Sequence, residues 1–102
     1  MKYRVLPTFQ ADYHRLSPEE KRAFRDALAR FIAAAREYEK DPVGFRWPAS
    51  LRVEKLVGQG VMAMTWSFSG PDGRATFQID QTGGEVVVVW RRVGRHSIYR
   101  EP

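Results

Sequence analysis

The side chains best suited to chemistry crowd into the end of this chain. Arg91, Arg92, Arg95, His96, Tyr99 and Arg100 follow one another within GEVVVVWRRVGRHSIYREP, with Gly94 as a turn signal among them. Arginine's planar fork matches the oxygens of phosphate, and histidine is the side chain whose unperturbed pKa lies nearest neutrality. The run Val86-Val87-Val88-Val89-Trp90 just before them is rich in β-branched residues and reads as a buried strand. A rigid core strand delivering arginines, a histidine and a tyrosine at its exit is one way to build an anion-handling site. The same cluster also reads as a solvated basic tail, and composition alone does not separate the two.

Other chemistries are poorly served. The absence of cysteine removes disulfides, thiol catalysis and thiolate metal sites together. His14 and His96 are far apart and sit in no recognised ligand spacing, so no metal and no cofactor are expected. No serine stands in a nucleophile elbow and no glycine-rich loop opens a helix. Metal-free phosphoryl chemistry remains. RNA carries its own nucleophile, the 2′-hydroxyl, so an enzyme need only align it, move two protons and neutralise the phosphate. His96 suits the role of general acid or base, Tyr99 that of proton-transfer partner or stacking platform. Arg74, Arg92 and Arg95 suit the phosphate. A formal net charge of +5 and a sequence pI near 10.0 favour a polyanionic or acidic partner.

The elements that must position these residues follow from pattern. A chain of 102 residues with 43% hydrophobic content is expected to make one domain, residues 1–102, around one modest core. Tyr3 to Leu6 alternates weakly and reads as an edge strand continuing past Pro7 through Thr8-Phe9-Gln10. Ser17-Pro18-Glu19-Glu20 carries a capping box with proline in the first turn. Phe24, Leu28, Phe31, Ala35 and Tyr38 then recur on one face, predicting an amphipathic helix that ends near Lys40, or a helical hairpin bent at Ala33-Ala34-Ala35. Phe45 and Trp47 are expected to close one end of the core. Ser50 to Val57 alternates as a half-exposed strand, with Leu51, Val53 and Leu56 inward and Arg52, Glu54 and Lys55 outward. Val61 to Phe68 and Arg74 to Ile79 pair as a hairpin across the turn cluster Ser69 to Gly73, and Asp80 to Glu85 turns into the valine strand. The expectation is an α+β sandwich: an N-terminal strand, the helix, then a three- to four-stranded antiparallel sheet covered on one face by the helix. No stretch approaches transmembrane length and the N-terminus has no signal-peptide run, so a reducing cytoplasm is the expected compartment.

Four stretches, LRVEKLVG (Leu51–Gly58), MTWSF (Met64–Phe68), DGRATF (Asp72–Phe77) and VVVWRRVGRHSIYREP (Val87–Pro102), resemble the RelE/ParE toxin superfamily. They are most similar to RelE-like members that end in a WRR-hydrophobic-G-x-H motif followed by an aromatic. The resemblance implies a toxin of a type II toxin–antitoxin pair, neutralised by an antitoxin protein. For the RelE-like branch it implies metal-independent cleavage of mRNA in the ribosomal A site. The family's functional positions map onto Arg74, Arg92, His96 and Tyr99 as catalytic residues. Arg91, Arg95 and Arg100, with Arg52 and Lys55 from the preceding strand, map onto RNA binding. The chain departs from RelE on Val61 to Phe68, where RelE carries lysines and this sequence offers Met62, Met64 and Thr65. If those lysines supply the general base in RelE, His96 is the evident group to replace them here. Two other readings stand beside this one: a non-catalytic inhibitor of a protein such as DNA gyrase, as in the ParE branch, and a degenerate relative that only binds RNA or a partner.

Overall fold

The computed structural model describes residues 1–56, 58, 60–67 and 72–102. Val57, Phe68 and the turn residues Ser69 to Pro71, all part of the strand and turn expectations, lie outside them. In chain order the elements are β1 (Lys2–Val5), α1 (Pro7–Arg15), α2 (Pro18–Lys40), a 3-10 turn (Ala49–Leu51), β2 (Glu54–Leu56), β3 (Val61–Ser67), β4 (Gly73–Thr82), β5 (Glu85–Gly94) and a C-terminal 3-10 turn (His96–Arg100). The strands form one sheet in the order β1-β5-β4-β3-β2. The architecture is α+β, as the sequence pattern predicts, but the sheet is mixed. β2 to β5 run antiparallel, whereas β1 pairs parallel with β5, Lys2 opposite Val87 through Val5 opposite Trp90.

Pro7 does not interrupt a strand; it starts a helix. Leu6 is extended (φ −79°, ψ 156°), as a residue before proline prefers, and Pro7 occupies the first turn of α1, where a missing amide costs nothing. The expected strand over Thr8-Phe9-Gln10 is therefore helical. α2 is a single uninterrupted helix of 23 residues with no break at the alanines. Its capping box is complete: the Ser17 hydroxyl accepts from the Glu20 amide at 3.1 Å, and the Glu20 carboxylate accepts from the Ser17 amide at 2.8 Å. The amide of Ser17 holds the Glu20 pKa below its ordinary value. Ser50 to Val57 supplies only a short strand. Pro48 precedes a 3-10 turn, and Arg52 follows it in the left-handed region at φ 46°, so the chain straightens only at Glu54.

The core lies between α2 and one face of the sheet. Phe24, Ala27, Phe31 and Ala35 from α2 meet Met64, Trp66, Ala75, Phe77, Val88, Trp90 and Val93, all buried. Phe31 packs against Phe77 and Trp90 with ring centroids 4.9 and 4.8 Å apart. Trp47 stacks on Phe31 at 4.8 Å and meets Phe45 edge-on at 4.9 Å, closing one end of the core as expected. Leu51 is fully buried, while Arg52, Glu54 and Lys55 are exposed.

A register shift in β5 decides where the arginines go. Phe77 lies opposite Trp90 but Thr76 lies opposite Arg92, so Arg91 is an extra residue on β5. Without that bulge, strict alternation would put Arg92 on the helix-covered face with Trp90. With it, Val93 returns inward, buried opposite Ala75. The second face of the sheet receives the arginines.

Candidate functional site

That second face is built from cross-strand rows. Glu54, Ala63, Thr76 and Arg92 occupy successive opposite positions on β2, β3, β4 and β5. In the next row Thr65, Arg74 and Gly94 face one another, and in the row on the other side Gln78 and Val89 do. The row between Glu54 and Arg92 is floored by two small, fully buried side chains, Ala63 and Thr76. The C-terminal turn lies across this floor. Thr76 Oγ1 donates to the Pro102 carbonyl at 3.0 Å and Arg91 Nε to the same oxygen at 3.1 Å. Arg92 NH1 donates to the Glu101 carbonyl at 3.1 Å. Buried Ile98 seats the turn against Gly94, where an added Cβ would come within 3.1 Å of Ile98 Cγ2.

The turn carries His96 and Tyr99, whose ring centroids are 4.6 Å apart. His96 is exposed and Tyr99 half-buried. The Tyr99 hydroxyl points to Glu54 Oε1 at 3.5 Å, a long contact. Burial raises the Tyr99 pKa, with Arg74 acting to lower it and Glu54 to raise it. The phenol therefore stays protonated, able to donate, between a guanidinium and a carboxylate. Arg74 is fixed from behind. Trp66 Nε1 donates to its carbonyl at 2.7 Å, and the Trp66 indole lies so close over Gly73 that no Cβ fits there. Its guanidinium contacts the Gly73 carbonyl at 3.3 Å and Asp72 at 3.6 Å.

The structure thus brings Arg74, His96 and Tyr99 together. Arg92 is on the same face but engaged: its Nε and NH2 bond Asp12 at 2.6 and 3.1 Å, and that hydrogen-bonded carboxylate raises its pKa further above the ordinary arginine value. Arg91 bonds Gln78 Oε1 at 2.7 Å. Arg95 pairs with Glu20 at 3.0 Å, joining the turn to α2. Arg91, Arg92 and exposed Arg100 line a groove of about 470 Å³ with Leu6, Thr8 and Pro102. Arg52 is exposed at the entry to β2. Lys55, opposite Met62, belongs to the helix-side rows and lines a separate groove of about 490 Å³ with Leu56, Met62 and Ile79. Among the described residues no group of three or more His, Asp or Glu is placed to hold a metal ion.

Two acidic residues of this region escape a reading of the sequence. Glu54 looks like a solvent position of an alternating strand; only the sheet order sets it beside Tyr99. Asp12, 6% exposed, follows a stretch whose pattern reads as an edge strand, and only the structure places it on a helix as a buried carboxylate. Nothing local announces that its partner stands at Arg92.

No family model matches the sequence, and no curated protein matches it. Solved structures do. A YoeB/ParE toxin from Agrobacterium tumefaciens superposes with a TM-score of 0.58 at 15% identity, over 94% of this chain and 99% of that one. The intact E. coli RelBE toxin–antitoxin complex provides a chain with a TM-score of 0.54 at 17% identity, over 92% of this chain and 94% of that one. The protein has the RelE/ParE toxin fold.

Proposed function

We propose that this protein is the toxin of a type II toxin–antitoxin pair and that it cleaves mRNA on the ribosome without a metal ion. The observation that carries this reading is the convergence of Glu54, Arg74, His96 and Tyr99, from three separate segments, at one edge of a small-residue floor. In this scheme the Glu54 carboxylate takes the proton of the RNA 2′-hydroxyl, whose oxygen forms a bond to phosphorus. The bond from phosphorus to the 5′ oxygen breaks, and protonated His96 delivers a proton to that oxygen. Arg74 neutralises the charge that builds on the phosphate. Tyr99 donates to a phosphate oxygen or stacks on a base. Arg91, Arg95, Arg100 and Arg52 extend the basic surface that follows the RNA backbone, with Lys55 at the sheet edge. Arg92 contributes charge to that surface and holds the turn in place. Glu54 fills the gap left by the missing strand lysines.

An acidic antitoxin segment is the fitting protein partner for a chain of net charge +5. Substituting His96→Ala together with Tyr99→Ala is expected to abolish growth arrest on induction while far-UV circular dichroism stays unchanged. Undiminished arrest by that double variant would remove the site assignment. If supercoiling fails before translation does, the protein is instead an inhibitor of a target such as DNA gyrase.

A further inference from the structure

Beyond Trp90, β5 has lost its neighbour on the β1 side, since β1 ends at Val5. α1 takes over that edge. The Leu6 amide donates to the Trp90 carbonyl at 2.9 Å, Thr8 Oγ1 to the Arg91 carbonyl at 2.8 Å, and the Val93 amide to Asp12 Oδ2 at 3.2 Å. Asp12 is thus shared between a backbone amide next to the bulge and the two-pronged grip on Arg92. Arg15 adds a looser contact at 3.7 Å. A buried carboxylate with this many donors is expensive to remove and fixes what it holds. What it holds reaches further, because Arg92 passes its remaining prong to the Glu101 carbonyl. Glu101 in turn donates its amide to Ile98 at 3.2 Å, inside the turn that carries His96 and Tyr99.

We propose that Asp12 is a positioning residue: through Arg92 it sets where the His96–Tyr99 turn rests against Glu54 and Arg74. The chain of contacts runs from α1 through the guanidinium to the carbonyl at the end of the turn. Nothing in it touches the proposed reacting atoms. Its importance for cleavage rests on the function proposed above, whereas its effect on the turn does not. An isosteric Asp12→Asn change keeps an acceptor for the Val93 amide but loses the charged fork. Arg92→Lys keeps the charge and loses the prong to Glu101.

The test has two independent arms. The chain has only two histidines, so in a His14→Gln background the remaining imidazole resonances belong to His96. Both Asp12→Asn and Arg92→Lys are expected to move those resonances and the Ile98 methyl signals in NMR spectra at fixed pH. In a reconstituted translation system with a defined mRNA, each is expected to lower kcat about tenfold or more, with KM changed less than about twofold, as for a catalytic group displaced without loss of binding. Variants that melt at lower temperature yet leave the His96 and Ile98 signals in place and kcat per folded molecule intact would overturn the proposal. Wild-type protein that cuts no mRNA would refute the proposed function, and the spectra would still decide the role of Asp12.

Discussion

Arg74 shows how much surrounding structure one candidate site side chain requires. Its backbone is held by the Trp66 indole, and the ring's approach leaves no room for a side chain at Gly73. Gly73→Ala therefore either pushes the indole away or shifts β4 at the residue that presents the guanidinium. Overpacking of this kind costs about 1–3 kcal/mol, to be read from urea denaturation. Cleavage should fall by more than the loss of folded protein explains. Tyr99 makes a second residue-level prediction. Because burial raises its pKa, the folded state binds the phenolic proton more tightly than the unfolded chain does. That contribution to stability is present below the unfolded pKa near 10 and is lost as pH rises through the raised folded value. Tyr99→Phe should flatten the alkaline limb of the stability curve and leave the neutral region unchanged. An unaltered alkaline limb would mean that the phenol is not held as described.

At the scale of elements, the bulge in β5 and the cap of α2 do the positioning. Deleting Arg91 removes the extra residue: Arg92 then follows Trp90 directly and keeps the outer face opposite Thr76, while Val93 stays inward opposite Ala75. Circular dichroism should therefore show this variant folded, whereas Asp12→Ala, which leaves the Arg92 guanidinium without its carboxylate, should cost about 3–5 kcal/mol. The cap is a milder case. Ser17→Ala should cost about 1 kcal/mol in thermal unfolding. Since the Ser17 amide lowers the Glu20 pKa, the cap's stabilisation is present above the ordinary glutamate value and lost as pH falls through the lowered one. Glu20→Gln should accordingly weaken the acid dependence of stability. The cap and the apolar stripe of α2 were legible in the sequence because both are local patterns. The valine strand was legible too, but the bulge was not, since Arg91-Arg92 within an apolar run shows a conflict without showing how it is resolved. The helix at Pro7 was misread because proline both breaks strands and begins helices, and the deciding factor, the bare edge of β5, lies more than 80 residues away.

At the scale of the molecule, one face of the sheet is spent on the core and the other on the C-terminal turn. The candidate site exists only where β2, β4 and the turn meet. Its tail half, Arg91 to Arg100, stands out in composition. Glu54 and Asp12 join it only through strand order and an 80-residue contact, which no local signal encodes. The net charge of +5 gives a further prediction at this scale. Binding of a single-stranded RNA should weaken with salt, and Arg100→Ala should reduce the slope of log K against log salt by about 0.7 if that side chain contacts a phosphate. An unchanged slope would take Arg100 out of the interface.

The activity we propose for this face is cleavage of mRNA. Inducing the chain in cells that lack an antitoxin, and mapping new mRNA 5′ ends, tests it most directly. Cuts within translated regions are expected, lost in His96→Ala and Arg74→Ala and strongly reduced in Glu54→Gln. Growth arrest without new 5′ ends, or the same cuts in all three variants, would contradict it.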